Sequence, residues 1–296
     1  QGYGPRFSAG LILAASTLAM LMPPSVSMIL YSLATNSSVG GVFLSGLSAG
    51  VVFMLLLTLY CYVYARIKQT QRQSRASWQE RFVSLKEAGW SLGLPAIIFG
   101  GIYAGTFTPT EAASGACVYS LFVETVVYRK LKLRELVEVT ERSAIVIASL
   151  LILLTAGSAL AYFMTLQDVP QQIAGLMEGS SRVEVLLSIN VVFLIAGMFV
   201  DPNSVIIVLT PLFAPIAQAL AVDPLHLGAV IVLNVAIGMM TPPFGLNLFI
   251  GMATFRVPFV DICRGILPYI GIALVALVLV SYVPILTTWL PRSVGL

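Results

Sequence analysis

The sequence predicts an all-α polytopic membrane protein that holds a re-entrant hairpin and two discontinuous helices within an inverted repeat. Three observations carry that prediction. Of 296 residues, 58% are hydrophobic and 10% charged, where a soluble domain carries about 25% charge, and the mean hydropathy is +0.95. Nine apolar segments recur along the chain, and residues 42–64 and 266–284 contain no charge at all. A Pro-Pro pair in similar surroundings occurs twice, at Pro23-Pro24 and at Pro242-Pro243.

The apolar segments fall at 9–34, 42–65, 91–105, 111–128, 143–165, 183–199, 204–220, 227–254 and 265–285. Lipid leaves backbone groups no open-chain partner except their own helix, so each is expected to be helical. A span needs roughly 20 residues to cross about 30 Å of hydrocarbon.

After 42–65 comes a basic stretch with Arg66, Lys68, Arg72, Arg75, Arg81 and Lys86 against Glu80; a second holds Arg129, Lys130, Lys132, Arg134 and Arg142. Both are expected on the cytoplasmic side. The two spans between them agree, because the Gly105 to Pro109 turn then lies outside without a basic residue. Leu131, Leu133, Leu136, Val137 and Val139 have helical spacing, which predicts an amphipathic helix along the membrane surface over 131–142. The 66–86 stretch reads equally as such a helix or as a solvated loop. At Thr108-Pro109-Thr110-Glu111 the chain spells a capping box with proline at the first helical position. Glu124 lies beside Arg129 at the interface, and Asn190 and Asn234 are expected to hydrogen-bond between helices.

Segments 183–199 and 204–220 are short, about 25 Å each. The turn between them, Val200-Asp201-Pro202-Asn203-Ser204, has an acid but no Lys or Arg, which predicts a hairpin whose tip lies inside the membrane. Asp201 and Pro202 suit the N-cap and first position of the second limb. An ionisable residue at that depth also points to an ion or substrate.

Laying Pro23 on Pro242 fixes an offset of 219 residues. At the same offset Pro5 falls on Pro224, Ala34-Thr35 on Ala253-Thr254, and Gly46 on Gly265. Hydrophobicity alone does not produce such matches. Counting crossings between the copies sends the two Pro-Pro helices in opposite directions, which is the inverted-topology repeat of many secondary transporters. By the charge rule the first runs outward and the second inward. Paired prolines remove successive backbone donors and free the carbonyls four residues back. In lipid such groups need protein, water or an ion. Each Pro-Pro helix is therefore expected to break beside a polar cavity, where carbonyl ends suit a cation and restarting N-termini suit an anion. Ser25, Thr241 and Asn247 are expected to add side-chain oxygens there. The plainer reading is two packed, kinked helices.

Cys61, Cys117 and Cys263 form neither a disulfide framework nor a zinc motif, and a single His226, at the edge of its segment, forms no metal cluster. No enzyme is expected, because an intramembrane hydrolase needs a metal motif, paired acids or a Ser/His couple. A channel would carry a repeated selectivity element, which is not visible. A net charge of +3 confined to short loops reads as topology, not as a nucleic-acid surface. Residue 1 is glutamine and the first apolar run lacks a signal-peptide flank, so the chain is expected to be the C-terminal part of something longer.

The stretches GGIYAGTFTPTEAASGA (100–116), GMFVDPNS (197–204), NVAIGMMTPPFGLNLFIG (234–251) and MPPSVSMILY (22–31) resemble the large membrane subunit, the DctM type, of tripartite ATP-independent periplasmic (TRAP) transporters, from end to end. The resemblance implies an ion-transporter-like fold in the bacterial inner membrane, working as an elevator. It implies sodium-coupled import of organic acids of the C4-dicarboxylate or sialic-acid class, delivered by a periplasmic substrate-binding protein, with a small membrane subunit as partner. Carried over by position, it implies sodium at Asp201, Pro202, Asn203, Thr241, Pro242 and Gly245, and substrate at Pro23, Pro24, Ser25, Ser204, Pro243 and Asn247. No cofactor beyond the coupling ion is implied. Met22 and Phe244 depart from the smaller or β-branched residues usual there, and the family's N-terminal hairpin is absent. On this reading residues 1–41 hold the first discontinuous helix, 42–90 a span and basic segment, 91–142 two spans and the arm helix, 143–264 the second repeat and 265–296 the last span. The alternative is a truncated assembly subunit that binds the small subunit without transporting.

Overall fold

In a computed structural model the chain is described at residues 4–69, 76–176 and 179–295. Arg72 and Arg75 of the first basic stretch lie outside them. The described residues form helices joined by short turns, divided between two compact units: residues 1–71 with 153–296, and residues 72–152.

In the larger unit α1 (Pro5–Thr17) continues through a tight turn at Leu18–Met20 and stops; α2 (Val26–Thr35) restarts beyond the first Pro-Pro pair. The long α3 (Val39–Ile67) follows, opened by Ser38, whose hydroxyl accepts from the Gly41 amide at 3.2 Å. The smaller unit holds α4 (Trp78–Glu87), α5 (Gly89–Tyr103) and α6 (Pro109–Phe122), the last ending in a π-turn at Val123–Val127. Its helix starts are written in the sequence. Thr108 and Glu111 form the expected capping box, with Glu111 Oε2 accepting from the Thr108 amide at 2.8 Å. Ser77 and Glu80 form a second, so the described end of the basic stretch is helix. The Tyr119 hydroxyl donates to the Trp90 carbonyl at 2.8 Å and ties α6 to α5.

One expectation fails here. No separate surface helix covers 131–142, because α7 runs unbroken from Leu133 to Leu166. Amphipathic spacing marks a helix face but not a helix end, and no glycine or proline stands between Leu133 and Gly157 to stop propagation. After α8 (Val169–Leu176), α9 (Arg182–Phe199) and α10 (Pro202–Ala219) form the hairpin, and α11 (Pro224–Met239) and α12 (Leu246–Phe255) are the limbs of the second broken helix. α13 (Phe259–Tyr282) and α14 (Ile285–Ser293) complete the chain.

Contacts within the larger unit fix the directions of its helices. Arg6 in α1 pairs with Asp261 at 2.6 Å; further along, Leu13 meets Gly251 and Ser16 accepts from Asn247 at 3.1 Å. The Tyr31 hydroxyl in α2 donates to the Pro224 carbonyl at 2.7 Å. As numbers rise in the first broken helix they fall in the second, so the two are antiparallel. α3 runs from Gly41, beside Leu225, past Gly50, beside Leu21, to Tyr64, stacked on Phe7. α13 runs the other way, from Asp261 beside Arg6 to Ser281 beside His226. The whole repeat is thus inverted, with Pro5 and Pro224 each the first residue of its helix. Both Pro-Pro bonds are cis.

Two ends follow, one at Arg6 and one at Pro224. At 1.5 Å per residue, Gly50 and the adjoining break lie about 14 Å from the Pro224 end of α3 and about 21 Å from the Arg6 end. That is near the middle of a bilayer core of about 30 Å. α9 lies parallel to α11, with Asn190 at Asn234 and Gly197 at Gly238. α10 ends just before Pro224. The hairpin therefore enters and leaves by the Pro224 end and turns at the depth of the breaks.

The expected asparagine pair is present. Asn234 Nδ2 donates to Asn190 Oδ1 at 2.7 Å, and Asn190 Nδ2 to Ser281 Oγ at 3.0 Å. His226 stands in the first turn of α11, at the Pro224 end. It is fully buried, with Nδ1 2.8 Å from Thr287 Oγ1 and Nε2 3.2 Å from the Ser281 carbonyl, because α14 folds over the start of α11.

Candidate functional site

Both Pro-Pro helices are broken, and the breaks differ in chemistry. In the first, Ser25 has extended backbone and caps α2, accepting from the Met28 amide at 3.5 Å. In the second, Gly245 stands at the N-cap of α12, which leaves that helix without a side-chain cap. The hairpin tip is capped by Asp201: its Oδ1 accepts from the Asn203 and Ser204 amides at 3.0 and 3.1 Å, and its Oδ2 accepts from the Ser204 hydroxyl. The capping role anticipated for Asp201 and Pro202 is thus fulfilled, and the carboxylate is engaged by its own helix.

These three restarts meet in one cavity of about 460 Å³. Ala19, Met20, Pro24, Ser25 and Ser27 line it from the first break, Asp201, Pro202 and Asn203 from the tip, and Met239 and Leu246 from the two sides of the second break. Three helix N-termini, those of α2, α10 and α12, therefore face it together with the C-terminal ends of α11 and of the turn after α1. N-termini present unpaired N–H groups with partial positive charge, and C-termini present carbonyls with partial negative charge. Such a cavity suits an anion and a cation side by side. The acid of Asp201 already occupies the start of α10, which leaves α2 and α12 as the N-termini open to an external anion.

Of the residues expected to bind substrate or ion, Pro24, Ser25, Asp201, Pro202 and Asn203 are brought together in the cavity wall. Pro23, Ser204, Thr241, Pro242, Pro243, Gly245 and Asn247 are not among the residues that line it. In two of these the side-chain donor is already engaged, while the side-chain oxygen keeps its capacity to accept. The Thr241 hydroxyl donates back to the Ile237 carbonyl at 2.7 Å, as threonines in helices commonly do. Asn247 turns toward α1, with its amide donating to Ser16. Ser27 was not among the expected residues, yet its hydroxyl donates to Asn203 Oδ1 at 3.0 Å and joins the first break to the tip. Serines in helices pair so often with their own backbone that no local pattern singles this one out.

Gly245 is tightly constrained. A methyl group there would lie 2.6 Å from the Met239 carbonyl oxygen and 2.7 Å from that of Thr241. Only glycine leaves this space beside two converging carbonyls. An oxygen-lined cradle that a Cβ would fill is the donor set a hard cation takes. Phe244, by contrast, is exposed, with its ring 5.5 Å from that of Phe199.

Known proteins resemble this chain over most of its length. Residues 1–286 match the family model described as the tripartite ATP-independent periplasmic transporter, DctM component. The C4-dicarboxylate TRAP transporter large permease protein of Pseudomonas aeruginosa is 41% identical over 100% of this chain and 70% of its own length. The ectoine TRAP transporter large permease protein of Halomonas elongata is 38% identical, over 96% of this chain and 67% of its own. The sialic acid TRAP transporter large permease protein of Vibrio cholerae is 34% identical, over 98% and 68% respectively.

Proposed function

Since the chain belongs to the DctM component family of tripartite ATP-independent periplasmic transporters, we propose that it is the membrane subunit through which a sodium gradient drives import of an organic acid. A multi-pass inner-membrane location follows from the family and from five helices, among the described residues, that are long and apolar enough to cross a bilayer. The observation that carries the reading is the mid-depth cavity on which three helix N-termini and two C-terminal ends converge. The carboxylate sits against the N-terminal amides of α12 and α2, where charge-assisted hydrogen bonds need no basic side chain. Sodium, a second substrate, sits against the Met239 and Thr241 carbonyls in the space that Gly245 leaves open. Each ion lowers the cost of bringing the other out of water, and this mutual dependence is what couples the two.

The relatives' names speak for their own substrates, which include a dicarboxylate, a sialic acid and ectoine. All three carry at least one carboxylate, so the shared recognition element is one anionic group at helix ends, with the C4-dicarboxylate or sialic-acid class as the reading for this chain. A periplasmic binding protein delivers the solute, a small membrane subunit completes the assembly, and the cavity crosses the membrane by an elevator movement.

The test is uptake by the complete transporter in proteoliposomes, with its small subunit and binding protein, under an imposed sodium gradient and without ATP. Gly245→Ala should reduce sodium-driven uptake per folded molecule more than tenfold with co-purification of the small subunit retained, and because its methyl would press on backbone carbonyls it should also lower stability by about 1–3 kcal/mol. If the wild-type assembly forms but never accumulates solute under the gradient, the chain is the assembly subunit of the alternative reading.

A further inference from the structure

At the Arg6 end, away from the transport cavity, a second cavity of about 180 Å³ opens between α1, α3 and α13. Arg6 and Arg264 line it together with Tyr60, Tyr64, Pro268 and Tyr269. Its floor is a ring cluster: Phe7 stacks on Tyr64 at 3.8 Å between centroids, and Tyr60 meets Tyr269 edge-on at 5.3 Å. The Tyr269 hydroxyl is occupied, donating to the Phe7 carbonyl at 3.0 Å. Arg6 is neutralised by Asp261. Arg264 is exposed and joins none of the ion pairs among the described residues. The cavity therefore carries one uncompensated positive charge on an aromatic floor. Proline at 268 adds an acceptor, because the Arg264 carbonyl loses the N–H donor it would have four residues on.

We propose that this cavity is a headgroup site for an anionic glycerophospholipid of the phosphatidylglycerol class. Depth, charge and hydrogen-bonding chemistry each select that class. Tyr60 and Tyr64 lie at the end of a helix stretch about 34 Å long from Gly41, which places their rings at the membrane interface where tyrosines settle. A single phosphodiester matches the single unpaired guanidinium, and basic pockets between membrane helices take such headgroups. The freed Arg264 carbonyl accepts from a glycerol hydroxyl, which a choline headgroup cannot offer. The acyl chains then run along the exposed outer face of α13 at Leu267 and Leu274.

The test uses the purified complete transporter in detergent, titrated with short-chain phosphatidylglycerol, short-chain phosphatidylcholine or inorganic phosphate and read by native mass spectrometry. Phosphatidylglycerol should be retained in preference to the other two. Arg264→Gln should weaken its retention about fivefold, the effect of one basic residue near a lipid surface, whereas Arg264→Lys should restore most of it. Arg256→Gln, at the same end but outside the cavity, should leave it unchanged. Equal retention of phosphatidylcholine, binding of inorganic phosphate alone, an unchanged Arg264→Gln, or an equal loss in Arg256→Gln would each overturn the proposal. If Arg264→Gln does not fold, Arg6→Gln removes one positive charge from the same cavity and should give the same loss; no loss there also overturns it.

Discussion

At the scale of single residues, the larger unit depends on positions that tolerate no added atom and on polar groups that must find partners. Gly197 and Gly238 let α9 and α11 touch backbone to backbone. A methyl group at Gly238 would lie 2.6 Å from the Gly197 carbonyl carbon and 2.7 Å from its Cα, and backbone does not yield as a side-chain tip does. Gly238→Ala should therefore cost about 1–3 kcal/mol, seen as a lower thermal midpoint of the detergent-solubilised protein. The buried asparagine pair predicts a similar loss by another route. Asn190→Ala removes the acceptor for Asn234 and the donor to Ser281, so polar groups are left buried at about 1–3 kcal/mol, and an unchanged midpoint would contradict the pairing. That Asn190 and Asn234 meet was legible in the sequence, because a lone amide in an apolar helix has few other fates. That Ser27 reaches Asn203 was not, because a serine hydroxyl always has its own helix as an alternative.

At the scale of elements, the broken helices and the continuous α7 teach opposite lessons. Proline acts through local chemistry, the missing N–H and the ring, so both breaks are legible in the sequence. Replacing Pro23 and Pro24 together by alanine restores two donors. It should extend α1 toward α2, close the cavity and abolish uptake, and a structure of that variant still broken at 21–25 would show that the prolines do not cause the break. Capping is equally local. Thr108→Ala removes the hydroxyl that receives the Glu111 amide and should lower stability by about 1 kcal/mol, with uptake per folded molecule unaltered. The missing boundary near Arg142 is different. Polarity changes there, but a change of surroundings does not terminate a helix unless a breaker or cap accompanies it.

At the scale of the molecule, the inversion places unlike charge on the two ends of the larger unit. Arg6, Arg66, Lys68, Arg256 and Arg264 gather at one end with Asp261, whereas Arg182 and Arg292 at the other are offset by Glu184 and Asp223. The positive-inside rule then sets the Arg6 end in the cytoplasm. In intact cells an impermeant maleimide should label Ser38→Cys, at the Pro224 end, and leave Cys263 unlabelled until the membrane is opened; the reverse pattern would turn the molecule over. The sequence by itself determined the class of molecule, the breaks, the caps and the antiparallel relation of the repeats, because hydropathy, proline and charge act over a few residues or are summed along the chain. Tertiary structure alone decided which groups share a cavity: that Ser27 meets Asn203, that Asn247 turns to Ser16, and that the Asp201 carboxylate is taken up by its own helix. Those choices depend on how helices hundreds of residues apart rotate against each other to fill space, and no local pattern records that rotation.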